Sequence, residues 1–381
     1  MCKKFISFFS IFIILFFSFP VYGYESEPLS GIVDLRLMET TDLHGNIVDY
    51  DYIKNKKIVE FGLARTATLI KQARKEVPNS LLFDDGDLLQ GNLLADYIAY
   101  IDRFKTEPIH PMINVMNYLK YDAATFGNHD FHYGLDFLHR TITGAKFPFI
   151  NANMYVNDHK PYNFNEINMF KPYVILNKKV KDRSGKKHTI KVGVIGFVTP
   201  SVMIWEKKAL AGKVKVMDIV KSAEAFVPRM KEEGADIVVA LAHSGFDEKA
   251  KPYEKAENAV YPLSLVPGID VILFGHQHRV FPDKSKLKGI SGVDTSMGTI
   301  NGVSAVEAGS WGNYLGIVDL ILQKNNGKWA ILHSKSKAVP IFKVEKKKAK
   351  PLIKSDPKIL QIVKEIHEKA IQYSRRISNK K

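Results

Sequence analysis

Leu35-Arg36-Leu37-Met38-Glu39-Thr40-Thr41-Asp42-Leu43-His44-Gly45-Asn46 opens as a strand-like apolar alternation and closes on Asp-x-His followed by glycine. Side chains alternate along a strand, so this reading puts Asp42 and His44 on one side with Leu43 opposite. A carboxylate and an imidazole converging at a strand end suit a hard or borderline divalent metal. Asp-x-His also occurs by chance in surface loops, so the remaining donors have to be found elsewhere in the chain.

Working outward, residues 62–75 carry Leu63, Ala67 and Ile70 at helical spacing, with Pro78 beyond the end. Residues 80–84 read as a buried strand running into Asp85-Gly86-Asp87, and a helix follows at 111–121. Residues 122–126 form a strand ending in Gly127-Asn128-His129-Asp130. Residues 173–180 and 188–198 alternate about an Arg183-Ser184-Gly185 turn, an antiparallel addition to a sheet. Helical sequence resumes at 218–233. A strand at 236–241 leads into Ala242-His243-Ser244-Gly245, another at 271–274 into Gly275-His276-Gln277-His278, and a last one spans 317–323. Strands alternating with helices indicate an α/β layered domain.

Each of five polar clusters follows a strand-like run: Asp42-x-His44, Gly86-Asp87, Gly127-Asn128-His129, His243 and Gly275-His276-x-His278. In open α/β sheets ligands gather beyond the carboxyl ends of the strands, so the clusters are expected on one edge. Two divalent cations side by side need a shared anionic bridge, for which Asp87 is the best candidate. Asp42, His44 and His278 then complete one site, and Asn128, His243 and His276 the other. The donors are nitrogen and oxygen without thiolate, which fits Mn, Zn, Fe or Co and less well Ca. Paired metals ~3.5–4 Å apart hydrolyse phosphoesters. Asp84 and Asp85 read as turn residues or hydrogen-bond partners. His110, His139, His159, His188, His333 and His367 read as surface residues, and Trp205 and Trp311 as packing residues.

The set D-x-H, G-D, G-N-H-[D/E], H and G-H-x-H resembles the calcineurin-like metallophosphoesterase superfamily. More narrowly, it is similar to the secreted 5′-nucleotidase/cyclic phosphodiesterase family. Glu39-Thr40-Thr41-Asp42-Leu43-His44 and His276-Gln277-His278 look most like its periplasmic 2′,3′-cyclic-nucleotide 2′-phosphodiesterase/3′-nucleotidase branch. The resemblance covers residues 32–345 and implies a four-layer α/β/β/α sandwich with two divalent metal ions. It implies Asp42, His44, Asp87, Asn128, His243, His276 and His278 as ligands. It implies Asn128 and His129 as the catalytic pair, with His129 stabilising the transferring phosphoryl group and assisting the leaving oxygen. The substrate implied is a 2′,3′-cyclic nucleotide, hydrolysed to a 3′-nucleotide and then a nucleoside. A 5′-nucleotidase or nucleotide-sugar hydrolase and a non-catalytic metal-binding remnant are the alternatives.

Two departures from that family pattern stand out. Three residues after the catalytic histidine, where relatives carry a carboxylate or an amide, this chain has His132. A second imidazole modulates His129 in the opposite sense, because two nearby positive charges disfavour each other. The family also carries a C-terminal nucleoside-binding domain that this sequence is expected to lack, with truncation, a split gene whose second chain supplies the domain, and a single-domain variant as the alternatives.

Composition bounds the rest. The chain has 381 residues, 45% hydrophobic and 25% charged, an ordinary folded composition. Residues 1–23 read as a secretory signal peptide, with Lys3 and Lys4, an apolar run from Phe5 and the Val21-Tyr22-Gly23 cleavage site. Periplasmic localisation follows from that reading, with no transmembrane segment once the leader is cleaved. The lone cysteine, Cys2, lies within the leader, which excludes disulfide and thiol chemistry from the mature chain. The formal net charge of +15 is concentrated after residue 334, where fifteen Lys/Arg face four Asp/Glu. The body is nearly neutral, so stable nucleic-acid binding is not expected. The domain reading is therefore a catalytic domain over 24–345 and a basic tail over 346–381 with a linker-like helix. Ser355-Asp356-Pro357 starts that helix, and Ile359, Ile362, Val363, Ile366 and Ala370 share one face that lacks an evident neighbour.

Overall fold

The computed structural model describes residues 29–157, 167–287 and 289–379; the expected leader and His159 lie outside them. In chain order the main elements begin with β1 (Ile32–Thr40), α1 (Leu63–Glu76), β2 (Ser80–Asp84), α2 (Pro111–Leu119) and β3 (Ala123–Ala124). Then come β4 (Tyr173–Lys181), β5 (Lys187–Val198), α3 (Ile219–Glu232), β6 (Ile237–His243), β7 (Val271–Phe274) and β8 (Val303–Ala308). The series closes with β9 (Tyr314–Asn325), β10 (Lys328–Pro340), α4 (Pro357–Ile362) and α5 (Lys364–Ser378).

One sheet runs β10-β9-β1-β2-β3, with β1, β2 and β3 parallel. The other contains β8-β7-β6-β5-β4, parallel from β5 to β8. The expected antiparallel addition is there: β4 pairs with β5 from Tyr173↔Ile195 to Lys181↔Lys187. Period-two alternation explains the layering. Val33, Leu35 and Leu37 of β1, Leu81 and Phe83 of β2, and Ile237, Val239 and Leu241 of β6 meet in one core between the sheets. The intervening residues face outward: Met38 and Leu82 pack against α1 and α2, and Val238, Ala240 and Ala242 against α3. Helix, sheet, sheet and helix make the expected four layers. Strands buried on both faces read as near-continuous apolar runs, which is why they were visible in the sequence.

The structure corrects several expectations. The face formed by Ile359, Val363, Ile366 and Ala370 is not left without a neighbour, because it is buried in the same core as α1 and α2. Residues 357–378 are thereby part of the domain's packing. Among the supposed surface histidines, His110 is 3% exposed, His188 pairs with Asp182 at 2.8 Å, and His367 lies against Tyr52. Strands β8 and β10 went unrecognised, and β9 is longer at both ends than expected. Among the described residues no helix is long and apolar enough to cross a membrane.

Candidate metal centre

β1 ends at Thr40, so Asp42 and His44 are not carried by strand alternation. They sit in a turn whose backbone is left-handed at Asp42 (φ 51°), His44 (φ 46°) and Gly45 (φ 72°). The turn is pinned to the loop after β2: the amides of Asp42, His44 and Gly45 donate to the carbonyls of Gly86, Asp87 and Leu88 at 2.8–2.9 Å. Asp87 (φ 56°), His276 (φ 77°) and His278 (φ 56°) are left-handed as well. Such backbone is uncommon outside glycine and gathers at functional sites. Two glycines let the loops close on each other. A Cβ on Gly127 would lie 2.1 Å from Asp87 Oδ1, and one on Gly275 would lie 2.0 Å from Thr41 Oγ1.

Second-shell contacts aim the donor atoms. Asp42 Oδ2 accepts from the Thr41 hydroxyl (2.7 Å) and the His276 amide (3.0 Å), leaving Oδ1 for a ligand. His44 Nδ1 lies 2.6 Å from the Gln90 carbonyl and His243 Nδ1 2.8 Å from the Asp85 carbonyl. Each of those contacts places the ring proton on Nδ1 and the lone pair on Nε2. Both Nε2 atoms approach Asp87 Oδ2, at 3.7 Å from His44 and 3.2 Å from His243. His278 Nε2 is 3.2 Å from Asp42 Oδ1 and 3.0 Å from His44 Nε2. Ligand-type atoms of Asp42, His44 and His278 form one cluster and those of Asp42, Asp87 and His243 a second. Asp42 thus belongs to both. His276 joins neither; its Nε2 lies 3.0 Å from Glu257 Oε1, which leaves Nδ1 as the nitrogen it can offer.

The residues fit divalent cations on their own chemistry. Asp42 Oδ1, Asn128 Oδ1 and His243 Nε2 are buried without a hydrogen-bond partner. Lone pairs that face carboxylates and one another in a buried space are costly unless a cation lies among them. Carboxylates and imidazoles in this space also shift one another. Burial would raise the Asp87 carboxyl, yet the rings of His243, His44 and His129 override it and hold it far below the usual carboxylate range. Burial would lower His243, yet Asp87 and Asp42 carry it up to about 10. His129 is lowered by burial, with His44, His243 and His132 adding to the effect and Asp87 opposing it.

Around the donors lie further polar and aromatic residues. Asp130 is buried, its Oδ2 accepting the amides of Asp87 and Gly127 and its Oδ1 those of Leu88 and Leu89. It ties two ligand loops together, and the acidic residue closing Gly-Asn-His-Asp was its only signal. Asp87 Oδ1 accepts the His129 amide at 2.7 Å, which holds the His129 turn to the candidate ligand cluster. His132, one 3₁₀ turn beyond His129, is 42% exposed and its Nδ1 lies 3.3 Å from Glu206 Oε1. Trp205 and Trp311, expected to be packing residues, are 45% and 42% exposed. Trp205 stacks on His276 (centroids 5.4 Å apart, 29°), and Trp311 approaches His278 (6.4 Å).

The calcineurin-like phosphoesterase family model matches residues 35–280, a span that begins in β1 and reaches just beyond His278. The chain is 48% identical over 341 residues to the 2′,3′-cyclic-nucleotide 2′-phosphodiesterase/3′-nucleotidase of Salmonella typhimurium, covering 89% of this chain and 51% of that protein. The protein of the same name from Yersinia enterocolitica is 47% identical over 345 residues, covering 90% and 51%. The crystal structure of the calcineurin-like phosphoesterase YfkN from Bacillus subtilis matches with a TM-score of 0.82 at 43% identity, over 90% of this chain and 99% of that one. The chain spans about half the length of the curated relatives it matches.

Proposed function

The chain belongs to the calcineurin-like phosphoesterase family, and from that premise we propose that it is a two-metal hydrolase of 2′,3′-cyclic nucleotides. It opens the cyclic diester to a 3′-nucleotide and then releases the nucleoside. One observation carries the reading: ligand-type atoms of Asp42, His44 and His278, and of Asp42, Asp87 and His243, gather in two clusters that share Asp42, the atoms of each within 4.8 Å of one another. The names of the relatives from Salmonella typhimurium and Yersinia enterocolitica support the substrate class. The leader-like residues 1–23 support secretion to the periplasm.

Bound divalent cations supply positive charge against the phosphoryl oxygens and bring the pKa of water toward neutrality. Asp42, His44 and His278 would hold one of them and Asp42, Asp87 and His243 the other, with Asn128 and His276 as further donors to be tested. His129 lines the cleft beside these donors, and its backbone is fixed to Asp87. As water adds to phosphorus it loses a proton to solvent, and as the ester P–O bond breaks the imidazolium form of His129 gives its proton to the departing oxygen and returns to the neutral ring. Buried Asp130 keeps the Asp87 and Gly127 loops in register while that happens.

The test is turnover of bis-p-nitrophenyl phosphate and 2′,3′-cyclic AMP by the purified chain in Mn²⁺ or Zn²⁺. His129→Ala is expected to lose about 10²–10⁴-fold in rate while keeping its metal content. Two bound metals with no turnover of either substrate would reject the reading for this chain.

A further inference from the structure

Beside His129 the surface opens into a cleft of ≈ 570 Å³ lined by Asn128 and His129 together with Trp205, Glu257, Gln277 and Arg279. Hydrolysis at the metal centre accounts for the first two residues and leaves the other four unexplained. Trp205 lies against the ring of His276 yet keeps 45% of its surface exposed. Its place is fixed from the other side as well. The next residue, Glu206, is largely buried and reaches His132 on the catalytic turn, so the short helix Val202–Trp205 is held to the segment carrying His129. A large aromatic plane held rigid and left open at the edge of a reaction centre is a stacking platform.

The remaining residues give that platform a polar surround. Gln277 Oε1 accepts the Phe246 amide at 3.0 Å, which leaves its NH₂ as a donor. Glu257 meets His276 through Oε1, which leaves Oε2 as an acceptor. Arg279 lines the same cleft and is the cationic residue there. An aromatic plane, a donor, an acceptor and a cation together match a heteroaromatic base carrying sugar hydroxyls and a phosphate. We propose that this cleft is a nucleoside subsite of the chain's own. The base stacks on Trp205, Gln277 and Glu257 meet the polar edges of base and ribose, and Arg279 meets the remaining phosphate charge. The assignment rests on the hydrolase reading above and deepens it, because base recognition is then built into residues 205–279.

The experiment compares kcat/KM for 3′-AMP with that for base-free ribose 3-phosphate, and measures adenosine binding to the Mn²⁺-loaded chain by calorimetry. Trp205→Ala is expected to lower the ratio of the two kcat/KM values about 5- to 100-fold and weaken adenosine by a similar factor. Trp205→Phe, which keeps an aromatic face, should recover most of both. An unchanged ratio, or both substrates falling together, would make Trp205 a support for His276 and overturn the subsite. So would a drop confined to Trp311→Ala, which places the base on the opposite rim. If the wild-type chain turns nothing over, the hydrolase reading fails, and the calorimetry still decides whether Trp205 holds adenosine.

Discussion

His110 shows how a single buried ring couples the fold to pH. Its Nδ1 accepts the Met112 amide at the start of α2, and its Nε2 is buried without a partner. Burial pushes the imidazole down to about 3 from an ordinary 6.5. Between those values the unfolded chain binds a proton that the folded chain refuses, so this stability is complete above pH 6.5 and is lost as pH falls toward 3. At pH 4.5 the loss is about 2–3 kcal/mol. His110→Asn keeps a capping side chain and cannot titrate, so its urea midpoint should fall less than wild type between pH 7 and 4.5. An equal fall would detach His110 from the acid response. At this scale the donors themselves were legible, because each lies in a short run next to a glycine. The backbone that aims them was not: Asp42 and His44 looked like strand neighbours and are left-handed turn residues. Asp130 stood in plain view, but its four amide partners come from two loops that meet only after folding.

The carboxyl-terminal helices make the corresponding point for elements. Periodicity identified the stripe from Ile359 to Ala370, and the missing information was its partner, a groove made some 300 residues earlier by α1 and α2. Asp356 caps α4 through the Lys358 amide and pairs with Lys71, and Ser374 Oγ donates to the Tyr52 carbonyl. Ile366 is 2% exposed, so Ile366→Ala should cost about 2–5 kcal/mol in urea unfolding. Leu360, 39% exposed on the neighbouring helix α4, should change stability by no more than ~0.5 kcal/mol when replaced by Ala. Equal losses at the two positions would mean that the stripe is not packed. Strand β10 was missed for the opposite reason. It pairs only with β9 and carries a largely exposed, lysine-rich face, so it lacks the apolar run that revealed β2, β6 and β7.

Across the whole molecule, the metal centre lies on the seam between the two sheets. Loops of the first sheet bring Asp42, His44, Asp87 and Asn128, while His243, His276 and His278 come from the second. A bound cation would therefore join two halves that meet through an apolar core and through contacts such as Asp42 Oδ2 with the His276 amide, and removing it would leave Asp42 and Asp87 close together. Chelation should lower Tm by roughly 4 °C per site for metal held at a hundred times its Kd. The same treatment of an Asp87→Ala chain should move Tm less. A chelator that leaves wild-type Tm unchanged would show that no metal bridges the sheets. The layered α/β architecture was legible because doubly buried strands and amphipathic helices differ in period. That the seven donors would be shared between two sheets was not, since chain order is silent on which edge each strand occupies.

The left-handed turns carry a consequence for how such a site can change over generations. At Asp42, His44, Asp87, His276 and His278 the main chain has already narrowed the alphabet. Aspartate, asparagine and histidine tolerate that backbone better than other side chains, and β-branched residues tolerate it poorly. Other side chains are held there at about 1–2 kcal/mol each, as Lys120 and Trp311 are elsewhere in this chain. Glycine passes most easily and brings no donor. Drift at these positions therefore weighs the comfort of the main chain against the loss of a ligand atom.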